Sequence, residues 1–113
     1  MEVVAHARNI RIAPRKVRLV VGVVRGKGVD QALAELRVMP QKAAKEVFKA
    51  VHSAVANAEN NYGLDRDTLV VSRIWANEAR TLKRWRPRAH GRVSPLLSRS
   101  SHVTVIVDER RPQ

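Results

Sequence analysis

The sequence predicts an α+β fold, with three helices packed on a small three-stranded antiparallel sheet and a long β-hairpin arm extending from it. Three observations carry this expectation. Between residues 14 and 60, apolar residues recur at helical spacing. Three other runs, residues 2–8, Leu69–Asn77 and His102–Val107, have strand character. The stretch from Glu78 to Asp108 holds no acid between its two ends yet carries Arg80, Lys83, Arg84, Arg86, Arg88, Arg92 and Arg99. With 113 residues, the chain is expected to be one domain, 1–113, with residues 79–100 as the arm.

Residues 2–8 alternate, Val3, Ala5 and Ala7 facing one way and Glu2, Val4, His6 and Arg8 the other, which predicts a first strand. Ala13-Pro14 opens the first helix, because proline is tolerated where the amide has no helical partner. Val17, Val20, Val21 and Val24 then fall at i, i+3, i+4 and i+7 and make its buried stripe. Gly26-Lys27-Gly28 breaks this helix. The run from Gly22 to Gly28 superficially resembles a phosphate loop, but Gly22 and Gly26 are one residue too close and glycine stands where a Ser/Thr should follow Lys27. Asp30 is expected to cap a second, short helix with Leu33 and Leu36 inside, ended by Met39-Pro40.

The third helix, about Gln41 to Asn60, carries Ala44, Val47, Phe48, Val51, Val55 and Ala58 on one stripe. Gly63 should supply its left-handed cap, and Leu64 to Asp67 a polar link into the second strand, where Trp75 is expected in the core. In the third strand Val103, Val105 and Val107 share one face. Structureless connections beyond about 12–15 residues are uncommon. The two strands should therefore run on outward as a ribbon and turn near Pro87 to Gly91.

The net charge of +12 is too large to be kept for the fold alone, since like charges repel in the compact state. It is also unevenly placed: Val3 to Val29 and Ala79 to Val107 contain no acid. Arg11, Arg15, Lys16 and Arg18 crowd the start of the first helix against its macrodipole, a conflict that an external phosphate would remove. Arg25 and Lys27 follow at its end. In the arm, arginine outnumbers lysine by six to one and Trp85 sits between Arg84 and Arg86. Guanidinium forks match phosphate oxygens, and an indole can stack on an unpaired base. A ribbon that is merely solvated needs none of these features.

Other chemistry finds no support in the sequence. The absence of cysteine excludes disulfides, thiolate zinc sites and cysteine nucleophiles, and fits a reducing compartment. His6, His52, His90 and His102 share no metal-ligand spacing, and His52 is expected as a partly exposed helix residue. Asp65 and Asp67 alternate with Arg66 in a solvated link rather than forming an acid–base pair. No cofactor is expected. No apolar run approaches a membrane span or a signal-peptide core, so a cytoplasmic protein without a membrane partner is expected.

The chain also resembles a known family. The matching residues are Arg15-Lys-Val-Arg-Leu-Val-Val21 with Val24-Arg-Gly-Lys27, Ser53-Ala-Val-Ala-Asn-Ala-Glu-Asn60, Leu82-Lys-Arg84 with Pro87-Arg-Ala-His-Gly-Arg92, and Ser101-His-Val-Thr-Val105. In this order they are similar to protein twenty-two of the bacterial large ribosomal subunit, over essentially the whole chain. The resemblance implies a non-enzymatic rRNA-binding protein that assists subunit assembly and lines the nascent-peptide exit tunnel with its hairpin. Its implied partners are large-subunit rRNA, neighbouring ribosomal proteins and the nascent peptide, with the protein a monomer within the ribosome.

On that reading the rRNA contacts come from Arg11, Arg15, Lys16, Arg18, Arg25 and Lys27 on the body. The arm adds Arg80, Lys83, Arg84, Trp85, Arg86, Arg88, His90, Arg92 and Arg99. Recognition would be by shape and backbone. The alternative is a DNA-architectural protein that clasps duplex with basic β-arms, which would require a symmetric dimer. An RNA-modifying enzyme is a third reading, without any cofactor loop or acid–base pair to support it.

Overall fold

The computed structural model describes residues 1–80, 82–87 and 93–109, and only the backbone of 82–87 and 93–98. In chain order the elements are β1 (Val3–Ile10), α1 (Pro14–Val24), α2 (Val29–Val38), α3 (Lys42–Tyr62), a 3-10 turn (Arg66–Thr68), β2 (Leu69–Glu78), β3 (Leu82–Pro87), β4 (Val93–Ser98) and β5 (Ser101–Glu109). Strands β1, β5 and β2 form an antiparallel sheet in that order, and β3 and β4 pair separately as a two-stranded ribbon. The α+β fold expected from the sequence is the fold observed.

The helices cover one face of the sheet: α3 packs on β1 and β5, α1 on β2, and α2 on α3. Between the layers lie Val17, Val20, Val21 and Val24 of α1, all fully buried, and the α3 stripe of Ala44, Val47, Val51, Val55 and Ala58. Phe48 is partly buried at the edge of that core. Gly63 ends α3 at φ 64°, its N–H reaching the Glu59 carbonyl at 3.1 Å while Leu64 N–H reaches that of Ala58. A residue in the left-handed region at this place satisfies carbonyls that the helix leaves open.

Three expectations are corrected. The first strand runs to Ile10 rather than stopping at residue 8, because a register shift between Ala7 and Ile10, with Asn9 at φ 58°, reverses the alternation and turns Ile10 inward. Asp30 does not cap α2: the helix is preceded by Gly28, and Asp30 lies in its first turn. Its carboxylate accepts from Arg66 Nε at 2.6 Å instead. Trp75 is not in the core. A shift between Val71 and Arg73 moves β2 by one position, so that Ile74 and Ala76 point inward and Trp75 stands on the opposite face, 36% exposed.

The arm's ladder runs from Leu82 opposite Ser98 to Pro87 opposite Val93. The expected turn at Pro87 to Gly91 lies beyond Pro87 outside the described residues, as do the whole of Arg88, His90 and Arg92. Pro95 faces Trp85 in this ladder. In a two-stranded ribbon every strand has a free edge, so a proline need not break a hydrogen bond. At the root, Glu78 pairs with Ser101 and Ala79 N–H donates to the Ser100 carbonyl at 2.9 Å. The register then advances by one before Leu82 meets Ser98. The ribbon is therefore joined to the sheet through an irregular step rather than as one continuous pair of strands. The molecule measures 66 × 25 × 22 Å with a radius of gyration of 17.3 Å, whereas a compact chain of this length would have about 13 Å.

Candidate nucleic-acid interface

The cations at the start of α1 are arranged as an anion site would require. Ala13 precedes the helix without a side-chain cap, Pro14 occupies the first position, and no acid lies in the first turn. Pro14 has no amide hydrogen and the Lys16 N–H closes onto the Ala13 carbonyl at 3.0 Å, so the Arg15 N–H is the open amide of that turn, and the positive end of the helix faces outward. Arg11, Arg15 and Lys16 are exposed and make no ion pair or side-chain hydrogen bond with any described residue.

Arg18 and Arg25 have a structural duty as well. Arg18 Nε donates to the Ala76 carbonyl at 3.2 Å and Arg25 Nη2 to the Ile74 carbonyl at 3.0 Å. Strand β2 is an edge of the sheet, so these alternate carbonyls face away from β5 and would otherwise need water. Two arginines two helical turns apart clip α1 along that edge. A guanidinium has five N–H donors, so each keeps others for a phosphate. Lys27 is placed differently. Its Nζ lies 2.6 Å from Glu35 Oε2, and this contact holds the Glu35 carboxyl below its ordinary value.

The root of the arm meets the start of α1. Ala13, Pro14, Arg15, Arg18, Glu78 and Arg99 line a cleft of about 430 Å³. Thus Arg15, Arg18 and Arg99, drawn from two segments 81–84 positions apart in the chain, converge around one small space beside the helix N-terminus. Arg80 is exposed at the same root. Lys83, Arg84, Trp85 and Arg86 lie on β3, which the structure describes as backbone only.

The basic surface also extends to residues not singled out from the sequence. Between β1 and α3 a groove of about 490 Å³ is bordered by Arg8, Arg11, Lys42 and Lys49, with Glu46 as the lone acid. Arg11 and Lys42 recur with Lys16 around a neighbouring hollow of about 440 Å³. Lys42, Lys45 and Lys49 stand at i, i+3 and i+7 on the side of α3 away from its buried stripe, a spacing visible in the sequence. Farther along, Arg37 lies 5.5 Å from the ring centroid of Phe48, which stacks on His52 at 6.0 Å.

Among the described residues no cluster of His, Asp or Glu could hold a metal ion, and no helix is long and apolar enough to cross a membrane. The surface can thus bind anions along a curved track, from the groove beside β1, past the start of α1, to the root of the arm. The family model of ribosomal protein L22p/L17e matches residues 5–108, nearly the whole chain. The family is structural, not enzymatic, and its place is the large ribosomal subunit in the cytoplasm, among rRNA and other ribosomal proteins. The chain belongs to the L22p/L17e family and is a large-subunit ribosomal protein that binds rRNA.

Proposed function

We propose that the protein acts as a two-part clamp on large-subunit rRNA, with the body anchored through the α1 cations and the arm reaching along the exit tunnel to meet the nascent peptide. The observation that carries this reading is the convergence of Arg15, Arg18 and Arg99 at one cleft, which allows a single RNA segment to engage body and arm root together. The ribbon of β3 and β4 and the 66 Å length supply the reach. A two-stranded ribbon is only marginally stable in water, and its acid-free sequence suits ordering by a polyanion. Body contacts come from Arg11, Arg15, Lys16, Arg18, Arg25 and Lys27, the last shared with Glu35, and arm contacts from Arg80, Lys83, Arg84, Trp85, Arg86, Arg88, His90, Arg92 and Arg99, within a single domain 1–113. By bridging distant RNA segments the protein assists assembly. The family match favours rRNA over duplex DNA as the clasped polyanion.

The test is to replace residues 83–92 with an Asn-Gly turn, which the body should tolerate. Ribosomes carrying the shortened protein are then toeprinted on a stalling peptide. Weaker stalling is the expected result. Unchanged stalling, with the shortened protein confirmed in the particles, would reduce the arm to an assembly clamp.

A further inference from the structure

The helices cover one face of the sheet, and the other face is open. On it the register aligns His6, Thr104 and Trp75 in one row across all three strands, with His102 and Asn77 in the next row toward the arm. Trp75 and His6 are exposed and His102 is half-buried. At the far end of the face the arrangement is closed. Arg73 of β2 pairs with Glu2, the residue before β1, at 2.9 Å across the central strand, level with Ile106, which is buried. The open part therefore lies toward the arm root.

The two imidazoles are held in place. His6 Nδ1 is 3.2 Å from Thr104 Oγ1, and the Asn9 N–H donates to His102 Nδ1 at 3.1 Å. His102 Nδ1 is therefore an acceptor, which leaves Nε2 as the N–H of the neutral ring, free to donate outward. Asn9 is the residue with positive φ at the β1 bulge, so the irregularity in β1 is what brings its amide to His102. Trp75 and His102 are diagonal neighbours on adjacent strands, about 7–8 Å apart.

We infer that this face is a stacking platform for unpaired nucleotides of RNA, with one base on the Trp75 indole and the next against His102. Sheet faces with exposed rings on adjacent strands take two or three bases in this way. Arg8 flanks the face on β1, and Arg80 and Arg99 follow at the arm root, so the strand's phosphates have cations to meet. A protein partner would need clustered apolar side chains at its centre, whereas here Val4 is the exposed aliphatic neighbour of a polar row. The inference rests on the rRNA-binding reading and adds to it a class of ligand, single-stranded rather than helical RNA, and a place for it.

The experiment uses the full chain with Trp85→Leu, which leaves Trp75 as the only indole. A ten-nucleotide RNA without self-complementarity, the same RNA as a duplex, and a structured rRNA fragment are titrated in turn. The single strand is expected to quench Trp75 emission, and the duplex to leave it nearly unchanged. Trp75→Leu in the native background should weaken single-strand binding by at least about fivefold, and Trp75→Phe should restore most of it. If the structured fragment binds but the single strand leaves Trp75 emission unmoved, the platform is overturned while the rRNA reading stands. If no RNA binds at all, both fail. A concentration-dependent dimer lost on Trp75→Leu would assign the face to a second copy of the chain and overturn the platform too.

Discussion

Gly26 and Val71 are joined by a backbone hydrogen bond, Gly26 N–H donating to the Val71 carbonyl at 2.9 Å, and Val71 N–H returns one to the Lys27 carbonyl at 2.8 Å. The loop after α1 thus continues the hydrogen bonding of β2 on its outer side. Together with the arginine clips at Ile74 and Ala76 it leaves little of this edge open to another strand.

Gly26 holds φ at +80°, and a Cβ there would meet nothing within 4 Å. The cost of Gly26→Ala is therefore conformational, about 1–2 kcal/mol. Thermal denaturation should show Tm lower by about 4–10 °C. An unchanged Tm would mean that the loop relaxes and that its pairing with Val71 does not hold it.

Val51 is completely buried between α3 and the sheet. Val51→Asp places a charge there without a partner and should leave the body unfolded by circular dichroism. Arg88→Ala, in the arm, should shift the Tm of the free protein by less than a degree or two. Equal losses would show that the arm packs on the body.

RNA binding should be steep in salt. If about five to eight phosphates are neutralised, log K falls against log salt with a slope of several units. Arg15→Ala with Arg99→Ala, which empties the cleft at the arm root of two charges, should reduce that slope by about two. A filter-binding titration reads both. A slope that the double variant leaves intact would place the RNA elsewhere.

The Lys27–Glu35 pair predicts a pH effect with a definite sign. The folded carboxyl sits below its ordinary value of 4.5, chiefly through the hydrogen bond from Lys27. Its contribution is therefore present above the unfolded pKa and lost as pH falls through the folded one. The Tm difference between the native chain and Glu35→Gln should be small at neutral pH, because both side chains remain partly open to water, and should vanish in acid. A difference that grows in acid would contradict the pairing.

Helix stripes such as Val17, Val20, Val21 and Val24 could be read from spacing because helical period and burial coincide. The face of Trp75 could not. Leu69 and Val71 are inward at odd positions while Ile74 and Ala76 are inward at even ones, and only the shift between Val71 and Arg73 reconciles them. Bulges leave no reliable mark in a sequence, and the left-handed Asn9 is another instance. At the interface, charge density points to the α1 cations, but the sequence could not show that Arg99 lines the same cleft as Arg15 or that Lys27 faces Glu35. Those are facts of tertiary contact. Lys42, Lys45 and Lys49 keep a spacing visible in the sequence, but lysines on the outer side of a helix have the same pattern whether they face water or RNA.

The strand order carries a consequence for how the molecule is made. The central strand, β5, is the last of the described strands in sequence, and it pairs Val107 with Val3 across 104 positions. Until residues 101–109 leave the ribosome that synthesises them, β1 and β2 have nothing between them to pair with. Translation at about 5–20 residues per second leaves α1 to α3 emerged for seconds over an unfinished core. Closure of the sheet is then a single late, long-range event, slow in kind because so large a loop must be drawn shut. For that interval the nascent chain exposes the valine stripes and the basic helix start together, and a chaperone and ribosomal RNA would compete for it before its fold exists.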